Sequence, residues 1–341
     1  APGDVGVFWV PLAHDMALLS FAMMLEAGID QIVMSPERFA VDPAGWLELV
    51  AARGTMTVGP PFEFGLALDR LLRKGVRPDF SRLRGVVVGA EPIDAGVLRR
   101  FVSTLAPAGL RDRLFMPSYG LAEMTCVGCL GAAGQPLVTT TLEIGGRPCE
   151  LVGHGPPLRD HAVRIVREDG SVATEGELGR VQLSGPAAMQ GYWRSPEATA
   201  AAFDDGWVVT GDLGFVQRTE QGDMVFVAGR EKDVIIVRGR HFFPDELEAV
   251  ATMCLGVRPR GALAFGEMDP GGGVERVTLC LELEPDVEEA DVAGLVKRAI
   301  ADQFDLSLAA VIAVPTGSLP HTTSGKLRRG EARRRWGTTQ P

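Results

Sequence analysis

Residues 30–116 alternate short apolar runs with longer amphipathic stretches, and this alternation constrains the fold more than any other feature. QIVM (31–34) predicts a strand, and DPAGWLELVAARG (42–54) predicts a helix that Asp42 caps and Pro43 opens. TMTVG (55–59) predicts the next strand. Strands and helices that alternate in this order form a parallel sheet covered by helices.

The same unit then recurs further along the chain. LRGVVVGAEP (83–92) predicts a buried strand ending in a glycine turn, DAGVLRRFVSTLA (94–106) a helix, and RLFMPSYG (113–120) another strand. From about residue 150 the pattern changes to short strands with turn signals, as in HAVRIVREDGSV (161–172) and GELGRVQLSG (176–185). That change predicts a small antiparallel or barrel-like subdomain.

A third region begins near Arg230. MVFVAGREKDVIIVRG (224–239) predicts two strands around a G-R-E-K turn, followed by a helix that Pro244 and Asp245 open. RVTLCLELE (276–284) predicts a further strand. One helical face is predicted from apolar spacing, comprising Val292, Leu295, Val296, Ala299, Ile300 and Phe304. The expected fold class is therefore α/β, divided as an α/β subdomain with a parallel sheet (1–149), a β-rich subdomain (150–229) and an α+β C-terminal domain (230–341).

Composition limits the partners and the location. The 341 residues exceed one ordinary core, and 34 Lys+Arg against 44 Asp+Glu give a formal charge of −10, which argues against a nucleic-acid partner. The apolar run MALLSFAMML (16–25) is about half of what a bilayer crossing needs, so no membrane partner is expected. Five cysteines do not form a disulfide framework and favour a reducing cytoplasm. Cys126 and Cys129 lack a second ligand pair and are interpreted as small buried thiols.

Four stretches carry residues suited to chemistry, and each is weak by itself. The first two end predicted strands, where ligands bind in open α/β sheets, and the third places an aspartate in a turn. The last offers Lys326 to an anion but does not match the phosphate-loop pattern, so a solvated basic tail is the plain alternative. These stretches are VVVGAEPI (86–93), PSYGLAEMT (117–125), WVVTGDLGFV (207–216) and LPHTTSGKLRRGEARRRW (319–336).

Taken together and in order, the motifs resemble those of the adenylate-forming ligase superfamily, the acyl-CoA synthetases and nonribosomal adenylation domains. The resemblance rests on GAEPI, YGLAEMT, GRVQLSGPAAMQGYW, TGDLGFV, GREKDVIIVRGRHFFPDELE and TSGKLRR. Within the superfamily, FWVPLAHDMALLS, VMSPERFAVDPAGWLELVAARGTMTVGPPFEF and IIVRGRHFFPDELE are most similar to the fatty acyl-AMP ligases, which load acyl chains onto carrier proteins.

The resemblance implies a role for each matching position, with ATP and Mg²⁺ as cofactors. Lys326 and His14 are implied as catalytic, Lys326 at the α-phosphate and His14 near the acyl carboxylate. Glu123 is implied as the Mg²⁺ ligand, and Lys232 as the hinge of a mobile C-terminal domain. The implied nucleotide-binding residues are Gly89, Ala90, Glu91, Tyr119, Gly120, Thr125, Asp212 and Arg230.

The chain also departs from the family pattern. The upstream phosphate-binding loop with its TxGxPK signature does not occur in these residues, so a first portion of roughly 150 residues or more is expected to be missing. Residues 1–149 are then expected to be a partial N-terminal adenylation subdomain, and this chain alone is expected to be inactive. Ala17 replaces the usual glycine after HDM, and the segment from Thr125 to Gly155 is short for a fatty acyl-AMP ligase.

Three functions stay open from the sequence. They are an acyl-AMP ligase with a carrier-protein partner, an acyl-CoA ligase, and a non-catalytic remnant that serves as a binding or docking module. The acyl group is open as well. The pocket candidates Phe62, Phe64 and Met124 suit an alkyl or an aryl acid equally.

Overall fold

The computed structural model describes residues 3–144, 147–268, 275–322 and 326–337. Contacts divide these residues into two compact units. The first lies within Ala1–Thr140 and Glu150–Val227, and the second within Thr141–Cys149 and Ala228–Pro341. The three-part division predicted from the sequence stays a prediction.

The first unit is built on a parallel sheet covered by helices, which confirms the α/β prediction. Its strands are β1 Val5–Phe8, β2 Asp30–Val33, β3 Met56–Gly59, β4 Gly85–Val88, β5 Phe115–Tyr119 and β6 Cys129–Leu130. They lie in the order β2-β1-β3-β4-β5-β6, with only β6 antiparallel to its neighbour. The helices between them are α1 Asp15–Glu26, α2 Pro36–Val41, α3 Pro43–Arg53, α4 Pro61–Lys74 and α5 Ala95–Leu105.

Local sequence explains where these helices begin. The Asp42 carboxylate accepts from the Gly45 N–H at 3.0 Å, and Asp94 accepts from the N–H groups of Gly96 and Val97. Behind the sheet, fully buried aromatic rings form the core, and Phe64 meets Phe101 and Phe115 edge to face at 5.3 Å. Phe64 is therefore a core residue and does not line a pocket.

The β-rich part of the chain confirms the antiparallel prediction. Its elements are β7 Thr139–Ile144, β8 Arg147–Val152, β9 Ala162–Val166, β10 Gly179–Ser184, α6 Pro196–Ala201, β11 Phe203–Asp204, β12 Trp207–Thr219 and β13 Gly222–Arg230. β7 pairs with β8, while β11, β12, β10 and β9 form one sheet in that order and β13 pairs with β12. The predicted D-G turn bends the chain after β9, since Gly170 has a φ of 84° and Val172 bridges back to Val166.

The second unit is an α+β fold, as predicted. Its elements are β14 Ile235–Val237, β15 Arg240–Phe242, α7 Pro244–Met253, β16 Val257–Met268, β17 Glu275–Leu283, α8 Glu289–Phe304, β18 Ala310–Val314 and α9 Arg329–Trp336. β17 lies between β16, which is antiparallel to it, and β18, which is parallel. The strands on either side of the G-R-E-K turn have different partners, since β13 pairs with β12 and β14 pairs with β15. On α8, Leu295 is exposed, so the predicted apolar face is wrong at that residue.

The basic segment near residue 330 is a helix with one inward-facing arginine. Arg329 opens α9, its side chain is only 13% exposed, and its guanidinium contacts Asp245 and Glu248 of α7. A solvated tail is therefore the wrong interpretation for Arg329, because a buried guanidinium needs carboxylate partners that the sequence places some 80 residues away.

Two smaller expectations can be compared with the described residues. None of the described helices combines the length and apolar character needed to cross a bilayer. Cys129 is buried, and burial raises the pKa of its thiol to about 12. Cys126 is only half-buried, so the expectation of two buried thiols is wrong for Cys126.

Candidate functional site

The predicted ligand residues of the first unit follow neighbouring parallel strands. His14 lies on the connection after β1, Gly89 to Glu91 follow β4, and Gly120 follows β5, which itself ends at Tyr119. Because β1, β3, β4 and β5 are parallel neighbours, these segments leave the sheet at one edge. That carboxyl edge is where open α/β sheets bind ligands.

Gly89 permits a close approach between two of these strand ends. A Cβ at residue 89 would lie 2.6 Å from the carbonyl oxygen of Ser118 and would also collide with the Ser118 hydroxyl. Only glycine therefore fits at this end of β4 without moving β5. The next residue, Ala90, has a φ of 69°, which turns the backbone sharply away from the strand.

A buried hydrogen bond joins Tyr119 to Asp212. The Tyr119 hydroxyl donates to Oδ2 of Asp212 at 2.6 Å, although 93 residues separate the two in sequence. Asp212 lies in β12, and its backbone N–H donates to the Thr210 hydroxyl at 3.1 Å. The fold thus brings together two residues that the sequence assigned separately to the nucleotide.

His154 packs against the same tyrosine. The two rings meet edge to face with centroids 5.8 Å apart, and burial lowers the pKa of His154 to about 4. Its Nδ1 has no hydrogen-bond partner among the described residues. His154 is therefore neutral at physiological pH and serves as an apolar support for Tyr119.

Glu123 lies in a 3-10 turn, Ala122–Met124, directly after β5. Its Oε1 accepts from the Tyr192 hydroxyl at 2.5 Å, and its backbone carbonyl accepts from the Met189 N–H at 2.8 Å. The hydrogen bond to Glu123 raises the pKa of Tyr192. The sequence analysis predicted no role for Tyr192, although its QGYW run belongs to one of the motifs that carry the resemblance. One signal could have indicated it: Tyr119 and Tyr192 are the two tyrosines of the sequence, and both lie in motifs that carry the resemblance.

The backbone after this turn is unusual. Thr125 and Cys126 are consecutive non-glycine residues with φ of 50° and 87°. Such conformations cost about 1–3 kcal/mol each and persist where surrounding contacts hold them. One such contact is from the Thr125 hydroxyl to the Ala187 carbonyl oxygen at 2.8 Å. Thr125, one of the implied nucleotide-binding residues, is thus held in place from the same loop as Tyr192.

His14 has a structural role of its own. It is the N-cap of α1, where its Nδ1 accepts from the Met16 N–H at 3.2 Å. Nδ1 also lies 2.8 Å from the Asp15 carboxylate. Its ring is thereby fixed at the start of the helix.

The remaining predicted residues lie in the second unit. Arg230 is the last residue of β13 and is exposed, and Lys232 is exposed in the 3-10 turn Glu231–Asp233. Lys326 is exposed as well, and its backbone N–H donates to the Thr322 hydroxyl at 3.0 Å. The neighbouring residues 323–325, part of the quoted TSGKLRR motif, lie outside the described residues.

The donor set around Glu123 fits Mg²⁺ shared with phosphates. Tyr192 occupies Oε1 of Glu123, and the described residues offer Oε2 no partner. No cluster of three or more His, Cys, Asp or Glu residues suited to a metal occurs in the described part of the chain. Mg²⁺ is commonly held by one or two carboxylates together with phosphate oxygens and water, and a single carboxylate suits that mode.

Comparison with known proteins places the chain in a family. The family model described as AMP-binding enzyme matches residues 1–193, more than half of the chain. This chain belongs to the AMP-binding enzymes. A solved structure of fatty acyl-adenylate ligases from E. coli and L. pneumophila superposes with a TM-score of 0.88 at 29% identity and covers 99% of this chain and 62% of that one. The α/β fold is therefore that of adenylate-forming enzymes.

Two curated relatives have similar coverage. The fatty-acid–CoA ligase named fadD25, of Mycobacterium tuberculosis, is 34% identical over 97% of this chain and 61% of its own length. The long-chain-fatty-acid–AMP ligase FadD26 of Mycobacterium bovis is 33% identical over 96% of this chain and 61% of its own. The chain thus spans about three fifths of the length of these relatives.

Proposed function

We propose that the whole protein activates a carboxylic acid, most simply a fatty acid, with ATP and Mg²⁺, and transfers the acyl group to the phosphopantetheine thiol of an acyl carrier protein. The observation that carries this proposal is the Tyr119–Asp212 hydrogen bond at 2.6 Å, beside the turn that holds Glu123. This hydrogen bond joins an aromatic ring, which can pack on the adenine base, to a carboxylate, which can accept from the ribose hydroxyls. Family membership and the name of FadD26 support the same chemistry.

The residues divide into contacts for each part of the nucleotide. In this proposal Tyr119 and the backbone of Gly89, Ala90, Glu91 and Gly120 hold the adenine. Asp212 accepts the ribose hydroxyls, and the Tyr119 hydroxyl at Oδ2 fixes the orientation of its carboxylate. Thr125 contacts the α-phosphate, and Arg230 binds the ribose or a phosphate. Lys232 is the hinge on which the second unit moves between two reactions.

The first reaction is adenylation. An oxygen of the substrate carboxylate attacks the α-phosphorus, the α–β phosphoanhydride bond breaks, and pyrophosphate leaves with the bonding electron pair. Lys326 stabilises the negative charge that develops on the α-phosphate oxygens. His14, held by its cap at the start of α1, lies beside the acyl carboxylate. Glu123 would hold Mg²⁺, which supplies charge neutralisation at the phosphates when bound.

The second reaction is thioester formation. The thiol sulfur attacks the acyl carbonyl carbon, AMP leaves with the electron pair of the C–O bond, and the thiol proton is released to solvent or a base. A carrier-protein arm and coenzyme A present the same thiol. The name of fadD25 favours coenzyme A as a second candidate acceptor.

Pyrophosphate exchange that depends on an added acid tests this proposal in the whole protein. Lys326→Ala is expected to slow exchange by about 10²-fold or more, because one transition-state charge contact is lost. Lys297→Ala, an exposed lysine on α8, is the matched control and should leave the rate unchanged. An unchanged rate in Lys326→Ala, with exchange intact, would remove Lys326 from the mechanism.

A further inference from the structure

Glu63 is a fully buried carboxyl group near the candidate site. It lies in the first turn of α4 with no exposed surface, and its Oε2 accepts a hydrogen bond from the indole N–H of Trp9. Its Oε1 is buried and has no hydrogen-bond partner among the described residues. A buried polar atom without a partner costs about 1–3 kcal/mol, so its persistence calls for an explanation.

The surroundings of Glu63 place it at the ligand-binding edge of the sheet. Its carboxyl group lies against the Cα of Gly59, the last residue of β3, where any larger residue would collide with it. Trp9 directly follows β1 and precedes the connection that carries His14. The charge of Glu91, which follows β4, is close enough to act on Glu63. Three adjacent parallel strands thus end around this one side chain.

The neighbouring aromatic rings form a wall beside the carboxyl group. Trp9 stacks on Phe39 with centroids 3.8 Å apart, and Phe62 meets Trp9 edge to face at 6.3 Å. Trp9 and Phe62 are only half-buried, while Phe39 is buried. An apolar wall with one fixed polar group is the usual composition of a small-molecule site.

The protonation state decides what Glu63 can bind. Burial raises the pKa of Glu63 well above its usual range, and the charge of Glu91 acts in the same direction. The hydrogen bond from Trp9 opposes this shift but does not cancel it. A raised pKa favours the protonated form of the carboxyl group, and because Oε2 already accepts from Trp9, Oε1 is the oxygen placed to donate.

We propose that Glu63 determines the specificity of the acyl pocket, and that its Oε1 donates a hydrogen bond to a hydroxyl or keto oxygen on the chain of the substrate acid. This inference rests on the proposed function, because the pocket is taken to receive the acid. A plain alkyl chain against Oε1 would leave the buried donor without an acceptor. An oxygen-substituted acid would satisfy it.

Two substitutions separate hydrogen bonding from shape. Glu63→Gln keeps an acceptor for Trp9 and a donor in place of the acid proton, whereas Glu63→Met keeps the length and removes both. The probes are medium-chain acids of equal length, either unsubstituted, hydroxylated at C2, C3 or C4, or carrying an amino group at C3. Acid-dependent pyrophosphate exchange gives the kcat/KM ratio of substituted to plain acid in the whole protein. Saturation-transfer NMR measures binding of the same acids without turnover.

We expect the wild-type protein to favour one hydroxylated acid over the plain acid by at least about fivefold. Glu63→Gln should keep this ratio, and Glu63→Met should bring it close to one, because methionine offers the substrate oxygen no donor. Equal ratios in wild type and Glu63→Met would overturn the proposal. The proposal would also be overturned if the wild type preferred the acid with an amino group at C3 and Glu63→Gln abolished that preference. Binding of an ammonium group in that way requires an ionised Glu63.

The readouts also distinguish this inference from the proposed function. Exchange with none of the acids would contradict the proposed function, while the NMR comparison would still decide the role of Glu63. If Glu63→Met does not fold, Glu63→Gln decides alone, since loss of the hydroxy-acid preference in that variant contradicts a neutral donor.

Discussion

At the scale of single residues, the first unit keeps several polar side chains away from water beside the candidate site. Asp212, His154 and Glu63 are all buried, and each is held by neighbours distant in sequence. Asp212 has a hydroxyl partner in Tyr119, whereas His154 and Glu63 each retain a polar atom without a partner. Burial changes the protonation of these groups, and this makes their contribution to stability depend on pH.

His154 provides a pH-dependent prediction. Its pKa is about 4 in the folded chain against 6.5 when unperturbed, so the unfolded chain binds a proton first as the pH falls. The free energy of unfolding should be unaffected above pH 6.5 and should decrease by about 3 kcal/mol between pH 6.5 and 4 because of this residue. Urea denaturation at a series of pH values measures the decrease.

His154→Gln should reduce that decrease, since the amide does not titrate. His161→Gln is the matched control, because His161 belongs to the same unit and is only half-buried. The interpretation fails if His154→Gln and the wild type lose stability in parallel over this range.

At the scale of secondary-structure elements, α9 is held by charge as well as by apolar packing. The Arg329 Nη2 donates to Glu248 Oε2 at 2.8 Å, Nε donates to Oε1 at 3.2 Å, and Asp233 lies 3.7 Å from Nη1. Asp233 belongs to the same 3-10 turn as Lys232, and Arg329 is close in sequence to Lys326. One arginine therefore connects the turn of the predicted hinge, α7 and α9 within the second unit.

Arg329→Met should destabilise the second unit by about 3 kcal/mol or more, because Glu248 would remain buried without its cation. Chemical denaturation measures the loss. Arg335→Met on the same helix is the control, since Arg335 is half exposed and its ion pair with Glu331 contributes little.

The double variant Glu248→Leu with Arg329→Met should recover part of the loss, because it buries no lone charge. A single Arg329→Met variant as stable as the control would show that the cluster does not hold α9.

At the scale of the whole molecule, the question is which thiol receives the acyl group. The run Arg240 to Phe243 resembles the fatty acyl-AMP ligases after Gly239. In the second unit, however, Phe242 and Phe243 are buried, and the guanidinium of Arg240 donates to the Phe304 carbonyl oxygen at 2.9 Å. Any contact of this run with an acceptor would therefore come from His241, which is exposed, or from Arg240.

We expect the whole protein to form thioester with a holo carrier protein at least about tenfold faster than with coenzyme A at equal concentration. Because both acceptors present the same thiol arm, we expect contacts that disfavour the rest of coenzyme A to contribute to this specificity. Free phosphopantetheine, which shares only the thiol arm with the other two acceptors, is the third acceptor. Its rate of thioester formation should differ from the rate with the holo carrier protein and from the rate with coenzyme A. Efficient acyl-CoA formation would assign the protein to the coenzyme A ligases and leave adenylation unaffected.

The sequence alone determined part of the element order, and it did not predict β1 or α4. Asp42 and Asp94 cap helices through neighbouring N–H groups, and short apolar runs identified β2, β3, β4 and β5 of the parallel sheet. The order of motifs identified the family, which the comparison confirms. These signals act over a few residues, so local propensity and capping are sufficient to read them.

Only the tertiary structure decided which polar groups meet. Tyr119 reaches Asp212 across 93 residues and Glu123 reaches Tyr192 across 69. The sequence analysis predicted no role for Glu63, which stands between the pocket candidates Phe62 and Phe64. Its carboxyl group nevertheless lies at the sheet edge, hydrogen-bonded to Trp9. No spacing rule encodes these pairs, because they depend on how elements pack and on which side chains that packing removes from water. Burial, a property of the assembled fold, sets both their partners and their charge.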